Sequence, residues 1–292
     1  MPVPTCEVDD CASVEARFGL SRCTAHDGGR RCDVAVGTWS LDRDGTPRPG
    51  ALATALDHVL GEALARHRPE GWWSTTSELS IDFLAPFDRQ SRLAATAAPI
   101  QVELRGGYAQ GRITDEHGTV VAAGSTWVHH LPPRGDPVRP VVRPPRQQVS
   151  IAATIEDYLR FERLPSPPDS VLLILGASAS WTNIFGLLHG GVWACLSEAA
   201  AAQLVRARNP GLVTARLHTT FVRPSRGDGP VTLTARAHHV GSSFAVVEVL
   251  GRSADDTLCT ISTVTARSRT DTVNRLPATK CDLFDSPTRG WI

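Results

Sequence analysis

The sequence predicts an α+β chain built from two copies of one unit, each a long helix wrapped by an antiparallel sheet, packed together as an internal pseudo-dimer. Three observations carry this. Two alanine-rich segments of helical composition, each opened by a glycine and each with an acid seven residues after that glycine, recur 141 residues apart. Each is followed by a run of alternating apolar and polar residues with a shared Thr-x2-Leu-x3-Phe-x2-Pro pattern, now 138 apart. A proline-rich segment separates the two copies.

Taken in order, residues 1–35 read as an N-terminal extension holding Cys6, Cys11, Cys23 and Cys32, with His26 nearby. No Cys-x2-Cys knuckle occurs there, so the thiols read as scattered rather than as a structural zinc site, and no metal or cofactor is expected. The opening stretch lacks a basic segment followed by an apolar core, and no apolar run reaches the ~18 residues needed to span a bilayer. The expectation is a cytoplasmic protein with reduced cysteines.

The first unit is read as residues 36–130. Its helix starts at Gly50, carries Asp57, and stops near Pro69 and Gly71. The patterned strand runs from Thr76 through Leu79 and Phe83 to Pro86, and further strands are expected over 93–104 and 111–127, with turns at 105–107 and 115–118. Residues 131–150 hold six prolines and four arginines with no interleaved aromatic residue, which suits a solvated connector better than a nucleic-acid contact. The second unit, 151–268, repeats the plan: a helix from Gly191 with Glu198, a stop at Pro210 and Gly211, the patterned strand from Thr214 to Pro224, and strands over 231–239 and 244–265. Residues 269–292 are a C-terminal tail.

With 292 residues, 41% hydrophobic content and 21% charged side chains, the chain is long enough for two cores. The formal net charge is zero, so no global field selects nucleic acid or an anionic membrane. Lys280 is the single lysine among many arginines, and alanine, proline and glycine are abundant, which points to a GC-rich, bacterial genome. No G-x-S-x-G elbow, P-loop or G-x-G-x-x-G is present.

Chemistry concentrates where Asn183 precedes His189-Gly190-Gly191, with Glu198 seven residues after the second glycine. The first N–H groups of a helix lack intrahelical partners and sit at the positive end of its dipole, so Gly191 is placed to stabilise an oxyanion. An acid nearby serves as general base or as nucleophile, and the sequence leaves both open. Asn183 is a candidate to orient water or polarise a carbonyl, and His189 either joins it or holds the loop. Asp57 lies among Leu56, Val59 and Leu60, apolar surroundings in which an unpaired charge is costly. Trp181, Phe185, Leu188 and Trp193 read as core or as an acyl pocket.

These spacings resemble the hotdog fold, specifically the phenylacetate-pathway (PaaI-type) acyl-CoA thioesterases, duplicated into a double hotdog. In that family an Asn sits six residues before His-Gly-Gly and an acid seven after it, as Asn183, His189, Gly190, Gly191 and Glu198 do here. The resemblance covers about residues 36–130 and 168–268. It implies composite sites, one joining Asn183, His189, Gly190 and Gly191 to Asp57 and Thr76, the other joining Gly50 to Glu198 and Thr214. The first half departs from the pattern, with Arg48-Pro49 in place of His-Gly and Asp42 at the Asn position. The implied activity is hydrolysis of an acyl-CoA or acyl-carrier-protein thioester without a cofactor, in a chain that assembles further into a homo-oligomer of pseudo-dimers. Two other readings stand beside it: a hotdog hydratase or dehydratase, disfavoured because Asp57 and His58 are adjacent and face different ways on a helix, and a non-catalytic binder of acyl thioesters.

Overall fold

The computed structural model describes residues 13–132 and 154–268. In chain order its elements are α1 (Val14–Arg17), β1 (Thr24–His26), β2 (Gly29–Ala35), α2 (Ala53–Ala65), β3 (Trp73–Phe83), β4 (Arg92–Glu103), β5 (Gly106–Thr114) and β6 (Val120–Leu131). The second half repeats them as α3 (Ile155–Leu159), β7 (Phe161–Leu164), β8 (Ser170–Leu175), α4 (Gly190–Arg208), β9 (Leu212–Phe221), β10 (Val231–Val240), β11 (Phe244–Arg252) and β12 (Leu258–Ser268). All the strands form one antiparallel sheet in the order β1-β2-β4-β5-β6-β3-β9-β12-β11-β10-β8-β7. The two long helices pack against the sheet and on each other. This is the predicted pair of helices wrapped by sheet.

The halves join at β3 and β9, where Glu78 pairs with Thr220, Ser80 with His218 and Asp82 with Arg216. Ser80 and His218 are equivalent positions in the 138-residue repeat, so the pseudo-twofold axis passes between them. Their side chains are hydrogen-bonded there, Ser80 Oγ lying 2.8 Å from His218 Nδ1. Arg216 also grips Asp82 with two bonds of 2.7 and 2.8 Å across the seam. Beneath it, Leu79, Ile81 and Leu217 are fully buried against the helices.

Three local expectations change. The spans 111–127 and 244–265 are each two strands: the turn expected at 115–118 divides the first, and an aspartate-centred turn between Arg252 and Leu258 divides the second. Asp115 Oδ1 accepts the N–H groups of His117 and Thr119, and Gly118 takes φ +80°. In the second half Asp255 Oδ1 accepts from Thr257 N–H, beside Asp256 at φ 63°. The turn expected over 105–107 ends sooner, since Gly106 and Gly107 already belong to β5. A Cβ on Gly106 would meet Val128 O at 2.0 Å, so strand pairing itself requires the glycine.

The repeat also reaches further back than residue 36. Ser13 caps α1 by accepting from Ala16 N–H, and Thr154, 141 residues later, caps α3 by accepting from Asp157 N–H. A short β-hairpin follows in each half, β1-β2 and β7-β8. We propose on this correspondence that the first unit begins at Ser13 and that residues 13–35 belong to it. Of the four cysteines expected in the extension, Cys6 and Cys11 lie outside the described residues, while Cys23 and Cys32 are free thiols. Those two are also drawn together at the open end of the β1-β2 hairpin, one position beyond the Thr24–Arg31 pair.

The start of this unit is anchored by rings. Phe18 sits edge-on to Trp39, Tyr158 and Trp181 at centroid separations of 5.2, 5.7 and 5.7 Å. The Arg17 guanidinium lies 3.5 Å over the Trp181 ring and donates to Ser180 O, while Tyr158 donates to Arg17 O. Trp181, a candidate for an acyl pocket, is therefore part of this cluster. Replacing Phe18 with Ala removes a fully buried ring from it and should cost about 3–5 kcal/mol, read from the shift in urea midpoint.

Candidate active site

The two long helices start differently, and the residue before each start explains why. His189 caps α4: its backbone is extended and its Nδ1 accepts the Gly191 N–H at 3.1 Å. At the equivalent place before α2 stands Arg48, whose guanidinium has donors only and makes no side-chain cap. The chain there begins as a 3₁₀ turn over Pro49–Leu52 and becomes α-helical at Ala53.

Each helix start is pressed against the other helix, and each receives a carboxylate from it. Asp57, on α2, accepts the Gly191 N–H through Oδ2 at 2.7 Å. The same oxygen is 3.3 Å from His189 Nδ1, and Thr76 Oγ1 donates to Oδ1 at 3.3 Å. The close approach explains the glycines, since a Cβ on Gly190 would stand 2.7 Å from Asp57 Oδ2 and one on Gly191 2.4 Å from Thr54 Cα. A register shift lies between Thr76 and Glu78 in the β3–β6 ladder, and the β9–β12 ladder shifts where Thr214 and Arg216 flank Ala215. These bulges sit beside the two threonines that reach the acids.

Asn183 faces the same cleft and keeps a structural duty as well. Its Oδ1 accepts from Phe185 N–H at 2.9 Å and Leu187 N–H at 3.2 Å, shaping the loop that leads into α4. Only the amide N–H groups of its side chain are left to act as donors. The structure thus brings Asp57, Thr76, Asn183, His189, Gly190 and Gly191 to one cleft of about 620 Å³, with all but Gly191 in its wall. Phe185, Leu188 and Trp193 supply apolar lining there.

The other candidates meet at the pseudo-symmetric place. Glu198 is 1% exposed, accepts from Thr214 Oγ1 at 2.6 Å, and would touch a Cβ on Gly50 at 2.7 Å. Arg48 fills the space that His189 occupies in the first site. Its Nη2 is 3.5 Å from Glu198 Oε2 and its Nη1 3.8 Å from Asp42, which Arg206 also holds at 2.6 Å. The pocket at this end measures about 110 Å³.

One further residue enters the first site from the supposed extension. Glu15, in the first turn of α1 and 5% exposed, lies 3.3 Å from His189 Nε2 and 3.8 Å from His58 Nδ1. Burial opposes its charge, but the two imidazoles outweigh that and hold its carboxyl well below the usual range. For His58 burial also disfavours charge, yet Cys23 and the Glu15 and Glu62 carboxylates raise its pKa to about 9. The sequence carried a signal for Glu15: the 141-residue offset sets Ser13-Val14-Glu15 over Thr154-Ile155-Glu156. Among the described residues, no group of three or more His, Cys, Asp or Glu side chains is arranged to hold a metal ion.

Comparison with known proteins agrees with this layout. A model of the thioesterase superfamily matches residues 49–122 and 185–260, the helix and following strands of each half. Among solved structures, the tesB protein of Mycobacterium avium subspecies paratuberculosis is 11% identical with a TM-score of 0.62, over 88% of this chain and 98% of that one. Acyl-CoA thioesterase II TesB2 of Mycobacterium marinum gives 12%, 0.58, 89% and 98% in the same order. An acyl-ACP thioesterase of Bacteroides thetaiotaomicron gives 13%, 0.53, 87% and 100%. At these identities the likeness is one of fold, a tandem hotdog. No curated protein matches the chain in sequence.

Two outcomes follow from the electrostatics. Arg48→Met leaves the Glu198 carboxylate buried without its cation and should cost about 3–5 kcal/mol by urea denaturation, most of it recovered in Arg48→Met/Glu198→Gln. His58, whose folded pKa of about 9 lies above the ordinary 6.5, adds stability that is complete below pH 6.5 and lost as pH rises through 9. The unfolding free energy should fall by about 1–3 kcal/mol over that window, and His58→Gln should flatten the fall.

Proposed function

Because the chain belongs to the thioesterase superfamily, we propose that it hydrolyses an acyl thioester in the cleft between α2 and α4, with Asp57 as the reacting acid. The observation that carries this reading is the Asp57 carboxylate held at 2.7 Å on the Gly191 N–H at the mouth of a helix, within a cleft of about 620 Å³. In the resting site Asp57 occupies the donor that an oxyanion needs. A thioester carbonyl entering there takes over the Gly191 N–H, and the displaced carboxylate loses a hydrogen bond that stabilised its charge. From there it either deprotonates water or attacks the carbonyl itself; both routes use the same helix N-terminus to hold the developing negative charge.

The donors of the Asn183 amide suit the carbonyl or the attacking water, and Thr76 holds the far oxygen of Asp57. Phe185, Leu188 and Trp193 offer apolar surface to an acyl group, while Arg22, Arg30, Arg66, Arg68 and Arg223 line the same cleft. Guanidinium groups in that number favour a phosphorylated carrier, coenzyme A or a phosphopantetheine arm on a carrier protein. The chemistry consumes water and needs no cofactor. The motif spacing favours a PaaI-type member, and composition favours a bacterial, cytoplasmic one; no helix among the described residues is long and apolar enough to cross a membrane.

The second pseudo-site is read as a structural remnant. Glu198 is tied to Arg48, a fixed cation that cannot take up a proton, and its pocket is small. Release of free thiol from short, long and aromatic acyl-CoAs tests the assignment. Asp57→Asn should lower kcat by about 10²-fold or more, Asn183→Ala should also lower it, and Glu198→Gln should stay within about twofold, since it leaves the first site untouched. A folded protein that turns over no acyl-CoA and no acyl-carrier protein would overturn the reading in favour of a binding module.

A further inference from the structure

We propose that Glu15 and His189 form a proton-accepting pair behind Asp57, so that the first helix of the chain supplies a positioning carboxylate to the site. The inference rests on the thioesterase reading of the cleft, and goes beyond it by giving Asp57 a partner for the proton it removes.

The ring nitrogens of His189 have different partners. Nδ1 accepts the Gly191 N–H at 3.1 Å, so in the neutral ring the proton resides on Nε2. Nε2 faces Glu15 Oε1 at 3.3 Å, and a carboxylate can only accept. Glu15 therefore fixes the tautomer that leaves a lone pair on Nδ1. That lone pair lies 3.3 Å from Asp57 Oδ2. In the neutral ring these two acceptor atoms face each other with no proton between them, and the Gly191 N–H is shared by both. The arrangement is poised to take up one proton.

The step balances as follows. Asp57 removes a proton from water as the water oxygen bonds to the thioester carbon. The proton is held between Asp57 Oδ2 and His189 Nδ1, and the imidazolium lies between the Glu15 and Asp57 carboxylates. When the C–S bond breaks, the proton goes to the leaving sulfur. While Nδ1 carries it, Nδ1 no longer competes for the Gly191 N–H, so the bond from that N–H to the bound carbonyl oxygen strengthens as the oxyanion's charge develops. Other titratable groups near the pair are His58, which shares Glu15, and beyond it Glu62 and Cys23, whose thiol pKa is raised by its hydrogen bond with Cys32 and by burial. The strong depression of the Glu15 pKa keeps its carboxylate ionised through neutral pH.

The pseudo-symmetry gives an internal contrast. Glu156 stands at the position of Glu15 in the second half, but Arg48 replaces His189, and a guanidinium neither accepts nor passes a proton. The pseudo-site that carries no titratable ring is also the one whose acid is locked in an ion pair.

The experiment compares wild type, Glu15→Gln and Glu15→Asp by kcat and KM on acyl-CoAs from pH 5 to 9, with ¹⁵N ring spectra of His189 in a His58→Gln background. Glu15→Gln should lower kcat about 10- to 100-fold with KM within about threefold, and move the acidic limb of the kcat profile to lower pH, because one carboxylate fewer stabilises the imidazolium. The Nε2–H tautomer signal should become mixed, and Glu15→Asp should restore part of kcat. An unchanged profile and unchanged ring spectrum in a folded Glu15→Gln protein overturns the proposal, as does an activity loss that only follows lowered Tm. Should wild type hydrolyse no thioester while its His189 tautomer still depends on Glu15, the pair stands and the hydrolase reading falls.

Discussion

The burial of each long helix's start against the other helix is the constraint from which the rest of the site follows. The first N–H groups of α4 are packed against α2, away from water, and such donors must find acceptors or cost the fold the price of desolvation. Asp57 meets that need for Gly191, and the dipole of α4 in turn favours its negative charge. The approach that allows this bond leaves no room for a Cβ at Gly190 or Gly191. One packing decision thus fixes an acid, a backbone donor at a helix start and two glycines within a few ångströms.

The same geometry exists twice, yet the two ends differ in what the capping residue can do. His189 accepts the Gly191 N–H in its helix cap and has a second nitrogen to offer elsewhere. Arg48 is a permanent cation, so at the other end the acid, Glu198, becomes half of a buried ion pair linked through Asp42 to Arg206. Such pairs contribute little net stability when intact and cost much when broken. The contrast in cavity size, about 620 against about 110 Å³, fits one open site and one closed strut.

The first helix shows how remote packing reaches the chemistry. α1 is a single turn, too short to hold a conformation by its own hydrogen bonds. Phe18 locks it into rings from both halves, and Arg17 ties it to the 3₁₀ turn over Ser178–Trp181 that precedes the His189 loop. Glu15 can be held with its charge buried because this anchoring presents it to two imidazoles at once.

By itself the sequence determined the duplication, the helix-and-sheet alternation of each unit, and the motif from Asn183 to Glu198, because periodicity and fixed offsets are local properties of a chain. It also marked Asp57 and Glu198 as acids in apolar surroundings. Over 111–127 and 244–265 it read as one span where the structure has two strands, although the Asp-rich turn at 115–118 was already legible. The family resemblance already implied that Asp57 serves the α4 start; what was left to the tertiary structure was that Glu198 pairs with Arg48, and that Glu15, 174 residues before His189, lies against its ring. Those pairings depend on how two helices cross and where a one-turn helix docks, and no spacing along the chain encodes a distance between residues brought together only by burial of a shared core.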